Sequence, residues 1–228
     1  METINQAGVA AQTLRLPRSL EYKVRHFPVK RTFDLIFSSL ILLFCFPLFL
    51  MLALAIKLSS RGKIFYSHER IGRRGKPFKC FKFRTMFNDA DKRLSDILEA
   101  HPELRMEWEE KHKLSKDPRI TFIGKLLRKT SLDELPQFWN VLKGDLSIVG
   151  PRPVVQEEIN KHFGVKAYKI LSIRPGITGL WQVSGRNDTT YKTRVMLDET
   201  YVDNHNFLLD VKLILKTVPK MLSSKGAY

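Results

Sequence analysis

One uncharged segment, residues 35–56, limits the folds open to this chain more than any other stretch of its sequence. It begins after Asp34 and ends before Lys57, and it is long enough to cross a bilayer as a helix, which takes about 20 residues. It starts well inside the chain and exceeds the apolar part of a signal peptide, although Ala53-Leu54-Ala55 resembles a cleavage site and keeps that alternative open. We therefore predict a membrane element.

The charges around this segment indicate how it enters the membrane. Basic residues lie on both sides of it: Lys23, Arg25, Lys30 and Arg31 before it, and Lys57, Arg61, Lys63, Arg70, Arg73 and Arg74 after it. Because Lys and Arg favour the cytoplasmic side of a membrane, both ends are expected there. Pro47, near the middle, removes a backbone donor and breaks or bends a helix. We predict a re-entrant helix broken at this proline; a kinked spanning helix is the alternative.

The rest of the chain predicts one small domain beside the membrane element. We assign residues 1–29 to a flexible leader, 30–57 to the re-entrant membrane helix and 58–228 to a cytoplasmic, membrane-associated catalytic domain. The fold class expected is α+β, predominantly helical. Alternating aromatic-rich segments on either side of Gly72-Arg73-Arg74-Gly75 predict a β-hairpin.

Periodicity and turn residues place the other elements. Helical patterns cover residues 88–116, with an interruption at Pro102, and a short helix follows near 122–129. A short strand is predicted at 146–149, and the glycine-punctuated stretch 174–186 reads as a loop. Helical patterns return at residues 154–171, 188–204 and 208–221.

The net charge of +16 points to an anionic partner: nucleic acid, an anionic lipid surface or a phosphorylated substrate. Basic and aromatic residues interleave in the second strand of the hairpin, a pattern that can bind single-stranded nucleic acid. Because this strand follows a membrane segment, we favour a phosphate or lipid-headgroup role and expect no nucleic-acid partner. Cys45 and Cys80 suggest no disulfide framework, and no Cys/His cluster has zinc-ligand spacing.

The stretch from Arg128 to Pro153 carries the candidate chemistry. Asp133 and Glu134 are adjacent carboxylates at the expected start of a helix, where free N–H groups favour anions. Ser131 and Glu134 also fit a capping box, so plain helix initiation is an equal alternative at this point. Arg152 stands between two prolines that fix the backbone, as bidentate phosphate recognition requires. The only metal that the composition suggests is a hard divalent ion.

A series of motifs, taken in order, carries a resemblance to a known family. The motifs are Lys30-Arg31 with Asp34, the apolar run with its proline, Lys82-Phe-Arg-Thr-Met86, Ser131-Leu-Asp-Glu-Leu-Pro-Gln137, Gly144-Asp-Leu-Ser-Ile-Val-Gly-Pro-Arg-Pro153 and Pro175-Gly-Ile-Thr-Gly-Leu-Trp-Gln-Val-Ser-Gly-Arg186. Together they resemble the bacterial sugar transferases, the monotopic polyprenyl-phosphate phosphoglycosyl transferases. The likeness covers residues 29–206. One departure is Phe46-Pro47, where short members often carry Ser-Pro.

The resemblance implies a reaction and a place in the cell. It implies transfer of a sugar 1-phosphate from a UDP-sugar to undecaprenyl phosphate with release of UMP, as the first membrane step of exopolysaccharide or lipopolysaccharide synthesis. UDP-glucose or UDP-galactose is the expected donor, from the form of residues 181–186. The enzyme is expected in the inner membrane with its active site on the cytoplasmic face. A homo-oligomer is left open.

The resemblance also implies residue roles. Asp133 would be the nucleophile that forms a covalent phosphosugar–aspartate intermediate, Glu134 would assist proton transfer or position the lipid phosphate, and Asp133 would help to hold Mg²⁺. The expected substrate-binding residues are Lys82, Arg84, Arg128, Arg152, Gln182 and Arg186. The rival readings are a non-catalytic, basic, membrane-tethered binding protein and a nucleic-acid binder.

Overall fold

The computed structural model of the chain describes residues 28–111, 114–185 and 189–222. Within them the chain is mostly helical, with two small two-stranded sheets, as expected for the predicted α+β class. The helices are α1 (Pro28–Phe44), α2 (Phe46–Ser59), α3 (Ala90–Ala100), α4 (Pro102–Lys111), α5 (Phe122–Thr130), α6 (Gln137–Lys143), α7 (Gln156–Glu158), α8 (Lys166–Ile170), α9 (Leu180–Val183), α10 (Tyr191–Asn204) and α11 (Phe207–Leu222). The strands are β1 (Phe65–Ile71), β2 (Pro77–Phe83), β3 (Ser147–Val149) and β4 (Gly176–Thr178). A π-helical turn, Ile159–Phe163, follows α7. Nearly all of the predicted leader lies outside the described residues.

The uncharged segment forms two helices, α1 and α2, which we call the apolar helix pair. In the described part of the chain, no single helix is long and apolar enough to cross a membrane, but this pair passes by length and composition together. Its two helices are bent by 60°. The break falls at Cys45, and Pro47 lies in the first turn of α2, where its missing N–H leaves no helical bond unmade. The predicted interruption of the helix is confirmed.

The first turns of α1 are bound to the rest of the domain rather than left free. Lys30 forms an ion pair with Asp210 of α11, and its ammonium donates to the Val149 carbonyl at 3.0 Å. Arg31 donates to two carbonyls of α6, at 2.7 and 3.1 Å. Asp34 is buried and accepts a hydrogen bond from a backbone N–H of β3 at 3.1 Å. The charged start of α1 is thus anchored to three separate elements.

The predicted hairpin is present. β1 and β2 pair antiparallel, with Phe65 opposite Phe83, and the side chain of Asn140 ties β2 to α6. Its carbonyl oxygen accepts from the Phe81 N–H at 2.9 Å, and its amide donates to the Lys79 carbonyl at 2.8 Å. These bonds hold β2 next to the turn that precedes α6.

The glycines of residues 174–186 predicted a loop, but the described part of this stretch contains regular structure. β4 pairs parallel to β3, and α9 follows it. The glycines are needed because backbones approach closely here: a Cβ on Gly176 would lie 2.0 Å from the Gly150 nitrogen, and one on Gly179 would lie 2.1 Å from the Gly150 oxygen. This packing fixes the backbone just before Arg152.

Three apolar clusters hold the molecule together. The first joins the end of β1 to residues of α8, α10 and the π-helical turn. The second joins α6, β3, α10 and α11. The third joins α2 to β2, α5 and the turn after α5, through the buried side chains Leu52, Ile56, Phe83, Leu127 and Leu135. The apolar helix pair therefore packs directly against the segment that carries the two carboxylates.

Candidate active site

The two carboxylates lie on a single 3₁₀ turn, Leu132–Glu134, which we call the carboxylate turn. It follows Ser131, which ends α5 in the left-handed conformation at φ 56° and makes no side-chain cap. The alternative of a capping box between Ser131 and Glu134 is therefore wrong. Asp133 is 8% exposed.

Lys82 of β2 contacts both carboxylates. Its ammonium lies 2.7 Å from Glu134 Oε1 and 3.5 Å from Asp133 Oδ2. Burial lowers the pKa of Lys82, but Glu134 and Asp133 outweigh burial and hold the pKa above its usual value. Lys82 therefore stays protonated beside the two acids.

Burial raises the pKa of Asp133, and the negative charge of Glu134 raises it further, while Lys82 and Arg128 oppose the rise. Arg128 lies close enough to Asp133 for their charges to interact, and its Nε donates to the Thr85 hydroxyl at 2.9 Å. Asp133 is thus a poorly solvated carboxylate whose ionised form depends on two neighbouring cations. Such an environment is common for catalytic carboxylates.

A narrow cleft opens beside the carboxylate turn. Its polar lining comes from β1, β2, the carboxylate turn, α6 and the segment after β3: Arg70, Cys80, Lys82, Glu134, Gln137 and Arg152. The structure therefore brings Lys82, Glu134 and Arg152 together, as the sequence predicted. Burial raises the pKa of the Cys80 thiol to about 11, so this cysteine is not a thiolate nucleophile.

Sequence reasoning missed three of these polar lining residues, Arg70, Cys80 and Gln137. Arg70 was counted only as a flanking positive charge, although the alternation of β1 gave a signal that one face of this strand meets its neighbours. Arg70 lines the cleft together with Arg152, although the two residues are far apart in the sequence. Only the fold brings the two arginines together.

Two predicted substrate-binding residues have other surroundings. Arg84 is 8% exposed, and its guanidinium donates to the Ser60 carbonyl at 2.7 Å and to the Arg61 carbonyl at 2.9 Å. It therefore binds the end of α2, and its role in binding substrate phosphates stays a prediction. Gln182 is buried in α9 and is not among the described residues that line the cleft. Arg186 lies outside the described residues.

The expected Mg²⁺ was tested against the donor groups present. In the described part of the chain, no group of three or more His, Cys, Asp or Glu side chains converges on one point. Asp133 and Glu134 nevertheless offer hard carboxylate oxygens next to a cleft lined by the basic side chains Arg70, Lys82 and Arg152. Mg²⁺ is typically held by one or two carboxylates together with substrate phosphates. The residues fit a metal that binds with its substrate.

Comparison with known protein families assigns this chain to one of them. The family model described as bacterial sugar transferase matches residues 25–224. The chain belongs to the bacterial sugar transferases. It is therefore an enzyme, and the expectation of a non-catalytic binding protein is wrong.

Individual relatives differ in length. The exopolysaccharide production protein ExoY of Rhizobium meliloti is 46% identical over 87% of this chain and 88% of its own length. The undecaprenyl-phosphate galactose phosphotransferase of Salmonella typhimurium is 45% identical over 94% of this chain but only 44% of its own length. The UDP-glucose:undecaprenyl-phosphate glucose-1-phosphate transferase of Klebsiella pneumoniae is 39% identical over 87% and 41%. The chain thus spans most of the length of ExoY and less than half of the length of each of the other two relatives.

Proposed function

We propose that this enzyme transfers a hexose 1-phosphate from a UDP-hexose to undecaprenyl phosphate and releases UMP. The observation that carries the proposal is the placement of a buried carboxylate, Asp133, beside a cleft lined by Lys82 and Arg152. The names of the relatives, which act on galactose or glucose and undecaprenyl phosphate, support the choice of substrates.

Asp133 is proposed as the nucleophile in a two-step reaction. One of its carboxylate oxygens attacks the phosphorus that bears the sugar, and the bond from this phosphorus to the bridging oxygen breaks, so UMP leaves. An oxygen of the lipid phosphate then attacks the same phosphorus and displaces the Asp133 carboxylate. The sugar is left on a lipid diphosphate and the carboxylate is regenerated.

The neighbouring side chains have distinct tasks in this scheme. Lys82 shields the two carboxylates from water and neutralises charge at the phosphorus under attack. Arg152 binds phosphate oxygens in the cleft, and Arg128 favours the ionised form of Asp133. Glu134, 2.7 Å from Lys82, orients that ammonium and is placed to position the incoming lipid phosphate.

Mg²⁺ is proposed as the metal of the reaction, held by Asp133 with Glu134 nearby. When bound, it supplies charge neutralisation for the diphosphate. Lys82 already contacts both carboxylates, so a bound metal would share these anionic groups with the ammonium.

The apolar helix pair is proposed to be re-entrant, with the active site on the cytoplasmic face of the inner membrane. A spanning helix would put its ends on opposite sides of a hydrocarbon layer about 30 Å thick. Here both ends contact one domain: Lys30 binds Asp210 at the start of α1, and Arg84 binds Ser60 at the end of α2. Together with the 60° bend, these contacts favour entry and exit on the same side.

UMP release tests the proposed reaction. We expect wild type, given undecaprenyl phosphate and Mg²⁺, to release UMP from UDP-glucose or UDP-galactose, and Asp133→Asn to lose nearly all of this activity. Asp96→Asn, an exposed carboxylate on α3, serves as the matched control and should keep wild-type activity. Equal release by Asp133→Asn would remove Asp133 as the nucleophile, and no release by wild type would overturn the reaction.

A further inference from the structure

Arg194 of α10 is a buried cation that neither the family resemblance nor the proposed chemistry uses. It is 6% exposed, and its guanidinium carbon lies 4.7 Å from the centre of the Trp181 ring and 5.7 Å from that of Tyr191. Its Nη1 donates to Glu158 at 3.3 Å. Its Nε forms a long ion pair with Asp198 Oδ2 at 4.0 Å, and neither Nε nor Nη2 has a hydrogen-bond partner among the described residues. Unsatisfied buried donors are costly, so these groups call for a ligand.

Two further arginines gather at the same place. The guanidinium carbon of Arg152 lies 5.7 Å from the centre of the Trp181 ring, so Arg152 and Arg194 are neighbours of one indole. Arg70 also pairs with Glu158, the partner of Arg194: its Nη1 lies 4.0 Å from Glu158 Oε1. We call Arg70, Arg152 and Arg194 the arginine cluster.

The charges of the cluster are incompletely balanced. Burial lowers the pKa of Arg70, and the charge of Arg152 lowers it further. Burial also raises the pKa of Asp198, beside Arg194, to about 7, so this carboxyl is only partly ionised near neutral pH. Glu158 pairs with two of the three guanidinium groups, those of Arg70 and Arg194. An anionic ligand would relieve the repulsion between them.

The position of the cluster indicates which anion it binds. Each arginine lies within two residues of a member of the first apolar cluster: Ile71, Val154 or Val195. None of the buried members of that apolar cluster, within the described residues, belongs to α1 or α2. The carboxylate turn, in contrast, packs through Leu132 against the cluster that contains Leu52 and Ile56 of α2. The arginines therefore adjoin a cluster whose buried members do not include the apolar helix pair, whereas the carboxylate turn packs on that pair, and this favours a water-soluble anion over a lipid at the arginines.

We propose that the arginine cluster binds the phosphate of the donor that leaves with the nucleoside. This assignment rests on the proposed function. Lys82 and Arg128 are the cations whose charges act on Asp133, and Lys82 contacts it, so these two face the phosphorus under attack. Arg70 and Arg152 line the same cleft, and Arg70 pairs with Glu158. Guanidinium groups suit this position because they bind phosphate oxygens in pairs and keep their charge when buried. The cluster would stabilise the charge that develops on UMP as it departs.

The test is UMP binding by the full-length enzyme in lipid nanodiscs, measured by calorimetry. Arg194→Lys and Arg70→Lys keep the charge but remove the paired donors, and we expect each to weaken UMP binding by about tenfold or more. Arg105→Lys, an exposed residue of α4, is the matched control and should bind UMP as wild type does. Thermal denaturation identifies any variant that fails to fold; Arg70→Lys, at a partly exposed position, keeps the test valid if Arg194→Lys does not fold.

The outcomes separate this inference from the proposed function. Wild-type affinity for UMP in both folded variants overturns the assignment, even if the enzyme still releases UMP from a UDP-sugar. A raised KM for undecaprenyl phosphate, with unchanged UMP binding, assigns the cluster to the lipid phosphate and also overturns it. Wild type that neither binds nor releases UMP contradicts the proposed function itself.

Discussion

At the residue scale, the site depends on one buried acid kept ionised by its neighbours. Asp133 is desolvated and adjacent to Glu134, and both conditions raise its pKa. Lys82 acts against both because it contacts the two carboxylates at 3.5 and 2.7 Å. The nucleophilic form of Asp133 is therefore sensitive to the loss of this single ammonium.

We predict that Lys82→Gln moves the acidic limb of the pH–rate profile to higher pH. Lys82 lowers the pKa of Asp133, so its removal raises that pKa, and a higher pH is needed to ionise the nucleophile. Well below the limb, activity should fall by about tenfold for each unit of increase in the pKa. Measurement of kcat/KM from about pH 5 to about pH 9 checks this.

Lys79→Gln is the control for this variant, since Lys79 is an exposed cation on the same strand. Its pH–rate profile should match that of wild type. An unshifted limb in Lys82→Gln would show that Lys82 does not govern the ionisation of Asp133.

Some of these residues could be predicted from sequence and others could not. Asp133, Glu134 and Arg152 stand in motifs whose residue types already suggest phosphate chemistry. Arg70 and Arg84 could not be told apart, because both are arginines at aromatic-rich strand segments. Which of them reaches the cleft is decided by strand pairing and by the position of the α2 end, and these contacts join residues distant in sequence.

At the element scale, the end of α2 is held by a side chain from beyond the hairpin. Arg84 donates to the Ser60 and Arg61 carbonyls, which the helix itself leaves unpaired. The hairpin and the bend were predictable from local signals, namely the Gly-Arg-Arg-Gly turn and Pro47. The β3–β4 pairing was not, because its glycines signalled a loop, and only the close approach of the Gly150 and Gly176 backbones explains them.

We predict that Arg84→Gln destabilises the enzyme without weakening donor binding. Loss of the guanidinium leaves partly buried carbonyls at the helix end without these donors, which costs at most about 1–3 kcal/mol, the range for a fully buried group. Thermal denaturation in nanodiscs should show a lower midpoint, while the KM for the UDP-sugar stays at the wild-type value. A raised KM at unchanged thermal stability would instead show that Arg84 binds the substrate. Arg105→Gln, at an exposed position of α4, is the control.

At the scale of the whole molecule, the apolar helix pair and the rest of the described residues pack as one unit. Asp34 and Lys30 bind elements of the domain at one end of the apolar helix pair, and Arg84 binds the other end. The third apolar cluster joins α2 to the carboxylate turn. Under the proposed function, this arrangement would let Asp133 reach a lipid phosphate at a membrane surface.

Cysteine labelling tests the re-entrant arrangement. In a background with Cys45 and Cys80 replaced by serine, single cysteines are placed at Val29 and Lys63, exposed positions at either end of the apolar helix pair. We expect a membrane-impermeant maleimide to label both in inside-out vesicles and neither in intact cells. Labelling of the two sites from opposite sides would establish a spanning helix instead.

Isotope exchange in the absence of the lipid acceptor tests the covalent role of Asp133 most directly. The enzyme is incubated with UDP-hexose, Mg²⁺ and labelled UMP, and the label in UDP-hexose is followed over time. A phosphosugar–aspartate intermediate predicts that wild type incorporates the label without undecaprenyl phosphate and that Asp133→Asn does not. Wild type that completes the full reaction with lipid yet shows no exchange without it would contradict the account, since transfer would then be direct.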